Sequence, residues 1–320
     1  MKKILIVGTG NIAFRHFQNI LKLKITDQIK ILNRFSKIKN ISNYLKNYII
    51  KDIKTAQRFD PNFILICSPS SLHLEDILKF NTIFPKAKFF CEKPLTNKLK
   101  KIKKIKKINT DKIYVGYQLR FNKLALKLQN IIKKKSYGKV LSYKIITGQD
   151  IKDWRPNKKL INTVSVSSKF GGGALLELSH EIDLGLFLFG KPKNILCKNK
   201  KTKYQNFDVE DNSNIFFEYK NYVATICIDM FNPIKKRDLY VTFEKAYIHA
   251  NFINNQITIC KKKKIIKKKI ISKDYEDMIK NFFQKKKSKN FSNFKTSAFV
   301  NKIVEAAKSS SRQSKKISLK

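Results

Sequence analysis

The segment that most restricts the fold is Gly8-Thr9-Gly10-Asn11-Ile12-Ala13, placed directly after the apolar run Ile4-Leu5-Ile6-Val7. Two glycines and an alanine at this spacing lead a strand through a tight turn into a helix. Gly8 permits the turn, Gly10 leaves the backbone bare, and the small Ala13 lets helix and strand pack closely. Amides in the first turn of a helix lack intrahelical acceptors, so such a turn is a ready site for a phosphate. Asn11 is expected to cap this helix, which the apolar periodicity carries to about Lys22.

The same alternation continues along the chain. Apolar strands are predicted at 29–32, 63–67, 88–91 and 112–116, with helices over 71–80 and 96–107. Strands buried on both faces and separated by helices give a doubly wound parallel sheet of the Rossmann type, assigned to residues 1–120. Beyond Arg120 the rhythm changes. A helix at 122–135 precedes a long alternating strand, Val140 to Gly148. Gly171-Gly172-Gly173 opens an apolar helix to about Phe189, and alternating strands fill 192–272. Residues 121–320 therefore read as an α+β domain with a large open, mostly antiparallel sheet. Helices near 273–286 and 294–308 close it, and the polar tail from Ser309 is expected to fray.

At 320 residues and 42% hydrophobic content, the chain is long and apolar enough for two cored domains. It has no run of about 18 apolar residues, which predicts a cytoplasmic protein with no membrane partner. The five cysteines are scattered without a C-x-x-C pair, so neither disulfides nor a metal site is expected. The net charge of +46 raises the possibility of a nucleic-acid partner. Against it, only seven of the 69 basic residues are arginine, the cation suited to bidentate recognition. The lysines are spread evenly, as on a solvated basic surface, and no aromatic-basic recognition motif accompanies them.

The opening glycine motif, in its strand-turn-helix setting, is the dinucleotide fingerprint. A second strand that ends in Asp or Glu favours NAD, because a carboxylate accepts from the ribose diol and repels a 2′-phosphate. Here the end is Asn33-Arg34-Phe35-Ser36. A neutral residue followed by a cation and a hydroxyl suits the 2′-phosphate, so NADP(H) is favoured and NAD(H) is the alternative. The plainer reading makes Arg34 one more solvated charge.

Further motifs add up to a resemblance. Ser68-Pro69-Ser70-Ser71-Leu72-His73, Glu92-Lys93-Pro94-Leu95, Val115-Gly116-Tyr117-Gln118-Leu119-Arg120-Phe121 and Gly171 to Gly190, with the glycine turn, make the chain similar to the Gfo/Idh/MocA family. That is the family of glucose-fructose oxidoreductase and inositol dehydrogenase. The ending, Ser309 to Leu319, looks like that family's last helix and strand. The resemblance implies a site between the two domains and an open sheet that often serves as a dimer or tetramer interface. It places Gly8, Gly10, Asn11, Ile12, Asn33, Arg34, Ser36, Ser68, Pro69, His73, Glu92 and Lys93 around the cofactor, with His73 capping or packing rather than reacting. Lys93 falls beside nicotinamide and substrate, while Glu177 and His180 complete the site and Asp183 lies one turn beyond. Tyr117 and Arg120 are placed at the substrate.

The chemistry is consistent with these assignments. Oxidising a secondary alcohol needs a hydride acceptor, a base for the hydroxyl proton and a cation for the developing oxyanion. His180 is the natural base and Lys93 the cation or proton relay. Glu177, His180 and Asp183 are three residues apart and share a helix face. The chain departs from the family in having two rather than three residues between acid and histidine, which leaves the acid's role less secure. Some members linked to surface-polysaccharide synthesis share this spacing and the Asp153-Trp154-Arg155-Pro156 segment, which leans the substrate toward a nucleotide-activated or amino sugar. Trp154 could stack on a sugar face with Arg155 reaching a phosphate or hydroxyl, or it could simply anchor a loop. His16 and His249 read as structural. The function expected is that of an NAD(P)-dependent sugar oxidoreductase and homo-oligomer. The rivals are a non-catalytic NAD(P)-binding sensor or scaffold and, on charge alone, a nucleic-acid-binding protein.

Overall fold

A computed structural model describes residues 1–33, 43–154, 163–202, 207–284 and 288–319. Its contacts divide the chain into two compact units, one formed by Met1–Gln118 with Tyr275–Ala298 and the other by Leu119–Asp274 with Phe299–Lys320.

The first unit is built on a seven-stranded sheet. β1 (Ile4–Val7), β2 (Ile29–Leu32), β3 (Ile49–Ile50), β4 (Phe63–Ile66), β5 (Lys88–Glu92) and β6 (Ile113–Gly116) lie in the order β6-β5-β4-β1-β2-β3, all parallel. This is the Rossmann order, which reverses direction between β1 and β4. All four residues of β1 are fully buried, as expected of a strand covered on both faces. The register pairs Val7 with Leu32 and with Ile66, and Glu92 with Gly116, so the segments after Val7, Leu32 and Ile66 leave along one edge with the end of β5.

Residues 275–298, expected in the C-terminal domain, pack into this first unit instead. The strand Ser292–Asn293 pairs antiparallel with β6. Phe282 packs edge-on against Phe63, Phe90, Tyr114 and Phe291. Burying this aromatic cluster draws the late segment back, a contact between residues far apart in sequence that no local pattern announces.

The second unit carries nine strands. β7 (Val140–Gly148), β8 (Asn194–Lys200), β9 (Asn212–Glu218), β10 (Val223–Asp229), β11 (Lys236–Phe243), β12 (Tyr247–Asn251), β13 (Gln256–Lys261) and β14 (Lys264–Lys269) run β14-β13-β12-β11-β7-β10-β9-β8. Among the described residues of this sheet, only β7 with β10 is parallel. The strand Ile317–Ser318 adds itself to β8, so the tail expected to fray is held in the sheet. Burial alternates along the strands. Ala224, Ile226 and Ile228 of β10 are buried, whereas Leu196 and Phe216, cross-strand partners on the opposite face, are 42% and 49% exposed.

Two helices differ from expectation. The Lys-rich stretch predicted as a helix over 96–107 is a 3₁₀ segment, Leu99–Lys107. The apolar helix after the glycines is broken by a turn at Leu178 into Ala174–Glu177 and Ser179–Phe189. Among the described residues no helix is long and apolar enough to cross a membrane.

Candidate active site

At the carboxyl edge of the Rossmann sheet, the two glycines of the opening turn do different jobs. Gly8 has φ +116°, and a Cβ on it would lie 2.9 Å from the Cys67 carbonyl oxygen. Only glycine lets β1 and β4 leave their sheet this close together. Gly10 has an ordinary φ of −82°, and a Cβ there would meet nothing within 4 Å. Its bareness is not required by the protein's own packing. Gly10, not Asn11, is the N-cap of the helix Asn11–Lys22, and no side chain caps that end. The first-turn amides of Asn11, Ile12 and Ala13 stand at the positive end of a helix dipole, next to the open position at Gly10, which fits a pyrophosphate.

Asn33 follows β2, where its Oδ1 accepts a long hydrogen bond from Thr9 Oγ1 at 3.4 Å. Arg34 and Ser36, expected at the 2′-phosphate, lie outside the described residues.

After β4, Ser68 Oγ donates to Asp76 Oδ2 at 2.6 Å, and Pro69 starts the turn into the helix His73–Ile83 through its carbonyl bond from Leu72 N–H. The ring nitrogens of buried His73 lie 2.7 Å from the Ser68 carbonyl and 2.8 Å from the Pro94 carbonyl. Burial holds its pKa below the ordinary histidine value, against the two carbonyl contacts. His73 is thus a strut that ties the loop after β4 to the Glu-Lys-Pro segment.

Glu92 ends β5 with Oε1 2.6 Å from His16 Nε2, while Oε2 accepts the Lys93 backbone N–H at 3.2 Å. Its carboxylate is engaged inside the protein, and His16, fully buried, reaches it from the helix of the glycine turn. Lys93 itself is half-buried and joined to Pro94 by a cis peptide. Tyr117, expected at the substrate, is fully buried in the first unit.

In the second unit, Gly173 has φ +102° and adjoins Glu210. The Glu210 carbonyl accepts from Ala174 N–H at 2.9 Å and its Oε1 from Leu175 N–H at 3.3 Å, so it caps the short helix that ends in half-buried Glu177. The turn at Leu178 separates Glu177 from His180, so the single helix face expected for them is interrupted.

His180 is 6% exposed and sits in a three-way polar cluster. An Arg237 NH2 nitrogen lies 2.7 Å from His180 Nε2, and Arg237 Nε donates to Glu181 Oε1 at 2.9 Å. Glu181 Oε1 approaches His180 Nε2 at 3.2 Å. Burial alone would raise the Glu181 carboxyl, but the Arg237 charge and the neighbouring hydrogen bonds outweigh it and hold the pKa below the usual value. The cation expected near the base His180 was Lys93, and Arg237 was not foreseen there.

Asp183 and Arg120 are occupied with each other. Arg120 Nε donates to Asp183 Oδ2 at 2.7 Å and NH2 to Oδ1 at 2.8 Å, with Asp183 fully buried and the guanidinium 4.9 Å over the Phe187 ring. Asp183, one turn beyond the expected histidine, and Arg120, expected at the substrate, form a brace inside the second unit. Trp154 ends the short helix Ile151–Trp154, half-buried, and Arg155 lies outside the described residues. Among those residues no group of three or more His, Cys, Asp or Glu could hold a metal ion.

Residues 2–116 match the model of the oxidoreductase family with an NAD-binding Rossmann fold, GFO/IDH/MocA, and residues 125–249 match the GFO/IDH/MocA C-terminal domain. The chain belongs to the Gfo/Idh/MocA family. No curated protein sequence matches it. Among solved structures it resembles levoglucosan dehydrogenase in complex with NADH and levoglucosan, at TM-score 0.84 and 15% identity, with 99% of each chain covered. An inositol dehydrogenase homolog complexed with NAD⁺ from Azotobacter vinelandii gives TM-score 0.84 at 11% identity, over 99% of this chain and 97% of that one. An NAD binding oxidoreductase from Klebsiella pneumoniae gives 0.82 at 11%, over 100% of both. At such identities the likeness is one of fold.

For this family member, sequence reasoning missed Arg237, Glu210 and the bond from His16 to Glu92. One signal was there to use. In a chain where lysine is the default cation, an arginine marks a place that needs a rigid fork of donors, and both Arg120 and Arg237 prove to be such places.

Proposed function

We propose that this family member is an NAD(P)-dependent oxidoreductase that moves a hydride between a nicotinamide cofactor and the hydroxyl-bearing or keto carbon of a sugar or sugar derivative. The observation that carries the reading is the uncapped helix start at Gly10, with open space where a side chain would be, on the same sheet edge as Lys93. One feature suits a dinucleotide's phosphates and the other an alcohol's oxygen. When bound, the nicotinamide supplies the hydride acceptor or donor. The residues supply the rest. Gly8 and Gly10 shape the phosphate cradle, Lys93 is the cation or proton relay, and His180 is the base for the hydroxyl proton.

Support for a sugar comes from the fold neighbours, since one was solved with levoglucosan and another is an inositol dehydrogenase homolog. The two-residue spacing between Glu177 and His180, with Asp153-Trp154-Arg155-Pro156, narrows the proposal to a nucleotide-activated or amino sugar for surface-polysaccharide synthesis. NADP(H) is the preferred cofactor, because Asn33 brings no carboxylate to the end of β2 and Arg34 and Ser36 follow it. The sheet face that exposes Leu196 and Phe216 supports a homodimer or homotetramer.

The test is a panel of sugars, amino sugars and nucleotide sugars, assayed with NADPH, NADH and their oxidised forms by the change in reduced-cofactor absorbance. At least one sugar is expected to give turnover, with tighter binding of NADPH than of NADH. Cofactor binding with no turnover across the panel would favour a sensor or scaffold instead.

A further inference from the structure

We propose that a basic cleft in the second unit, at the end of β8 and the last turns of the helix Phe294–Gln313, binds a diphosphate group. This goes beyond the functional reading above and does not depend on it.

The cleft has a volume of about 390 Å³. That is the size of small-molecule sites, which run from about 300 to 1,000 Å³, and it admits a diphosphate together with a group attached to it. Its cations come from two elements, Lys200 and Lys201 at the end of β8 and Lys308 and Arg312 in the helix. Lys308 and Arg312 are four positions apart, so they stand on one helix face, about 6 Å from each other along the axis. Like charges at this spacing cost helix stability, a cost that an anion lying across both would remove. Arg312 is also one of only seven arginines in the chain, the cation whose planar fork suits phosphate oxygens.

Two carboxylates also line the cleft, and both are engaged elsewhere. Asp208 accepts the Ser168 backbone N–H at 3.0 Å on Oδ1 and the Ser168 hydroxyl on Oδ2. The Ser168 bonds, and to a smaller extent the Lys201 charge, hold its pKa below the usual carboxylate value. Glu210 Oε1 accepts from Leu175 N–H at 3.3 Å. Asp208 thus offsets Lys201, while Lys200, Lys308 and Arg312 have no salt bridge or hydrogen bond among the described residues.

A hydroxyl completes the set of donors. Ser311 Oγ accepts the Asn199 backbone N–H at 2.8 Å, and its own hydrogen has no acceptor among the described residues. The same bond ties the end of β8 to the helix, so the two halves of the cleft are held together before any ligand arrives. Cations on both halves, two of them a helical turn apart, match an anion whose charge is spread over two linked groups better than a single phosphate.

The test is isothermal titration of the full-length protein with inorganic pyrophosphate, UDP and orthophosphate in 0.15 M salt, where diffuse attraction between exposed charges is largely screened. Pyrophosphate and UDP are expected to bind at least tenfold more tightly than orthophosphate. Replacing both Lys308 and Arg312 by Gln should weaken them at least tenfold. A control that removes the same charge from the exposed turn between β13 and β14, Lys262→Gln with Lys263→Gln, should change affinity by less than twofold. Should the first double variant fail to fold, Lys200→Gln with Lys201→Gln serves, with the same expected loss. Binding at the glycine turn of the first unit would be untouched by any of these changes. No binding, an affinity unchanged in the folded cleft variants, an equal loss in the control, or orthophosphate bound as tightly as pyrophosphate would overturn the proposal. Kinetics with a nucleotide sugar separate the two sources of the group. A KM that rises in the cleft variant with kcat held assigns the diphosphate to the substrate, and an unchanged KM assigns it to a free nucleotide or pyrophosphate. The titration does not depend on turnover, so a sugar panel without activity would sink the functional reading alone.

Discussion

Arg120 and Asp183 show how far a residue's chemistry can be read before its neighbours are known. Both are residues of the kind that bind sugars or move protons, and both stand in motifs that resemble a family's site. In the fold they meet in a bidentate pair with Asp183 fully buried. Removing one partner of such a pair strands the other charge, so Asp183→Ala is expected to cost about 3–5 kcal/mol of stability. Denaturant unfolding of the purified variant would measure it. A loss under about 1 kcal/mol, with turnover abolished, would return Asp183 to a catalytic role. The pairing was illegible because 63 positions separate the two residues and nothing in either motif names the other. Lys93 and His180 could be singled out because their motifs are local, whereas Arg237 lies 57 positions from His180, in a strand that reads only as a strand.

Elements were legible where a short-range rule decides them. The Rossmann strands are apolar runs bounded by turn residues, and the wide sheet alternates with period two. The 3₁₀ segment carried a signal that helix periodicity hides. Leu99, Ile102, Ile105 and Ile108 recur every three residues, the period of a 3₁₀ turn rather than the 3.6 of an α-helix, and Ile105 is fully buried. The glycine turn offers a clean separation of structural from functional demands. Gly10→Ala keeps an allowed φ of −82° with no clash, so stability should stay within about 1 kcal/mol. Its methyl group would occupy the phosphate cradle, so NADPH affinity is expected to fall at least tenfold in a fluorescence titration. Unchanged affinity would mean that the helix start does not hold the pyrophosphate.

At the scale of the whole molecule, two sheet types in succession were readable because each imposes its own hydrophobic period. The return of residues 275–298 to the first unit was not, because it is decided by an aromatic cluster assembled from distant segments. The charge of +46 identifies no partner by itself, since lysine is spread over both units rather than gathered in one motif. What unites the molecule is the claim that one unit offers a dinucleotide cradle with Lys93 at its sheet edge, and that this lysine is needed for hydride transfer to or from a sugar. The most direct measurement compares kcat for wild type and Lys93→Met on the sugar that gives the largest absorbance change, with NADPH affinity titrated in parallel. A loss of about a hundredfold or more in kcat, with cofactor affinity within a few fold of wild type, is the predicted result. A variant that keeps more than about a tenth of wild-type kcat would contradict it, because a group that carries the proton or steadies the oxyanion contributes more than that.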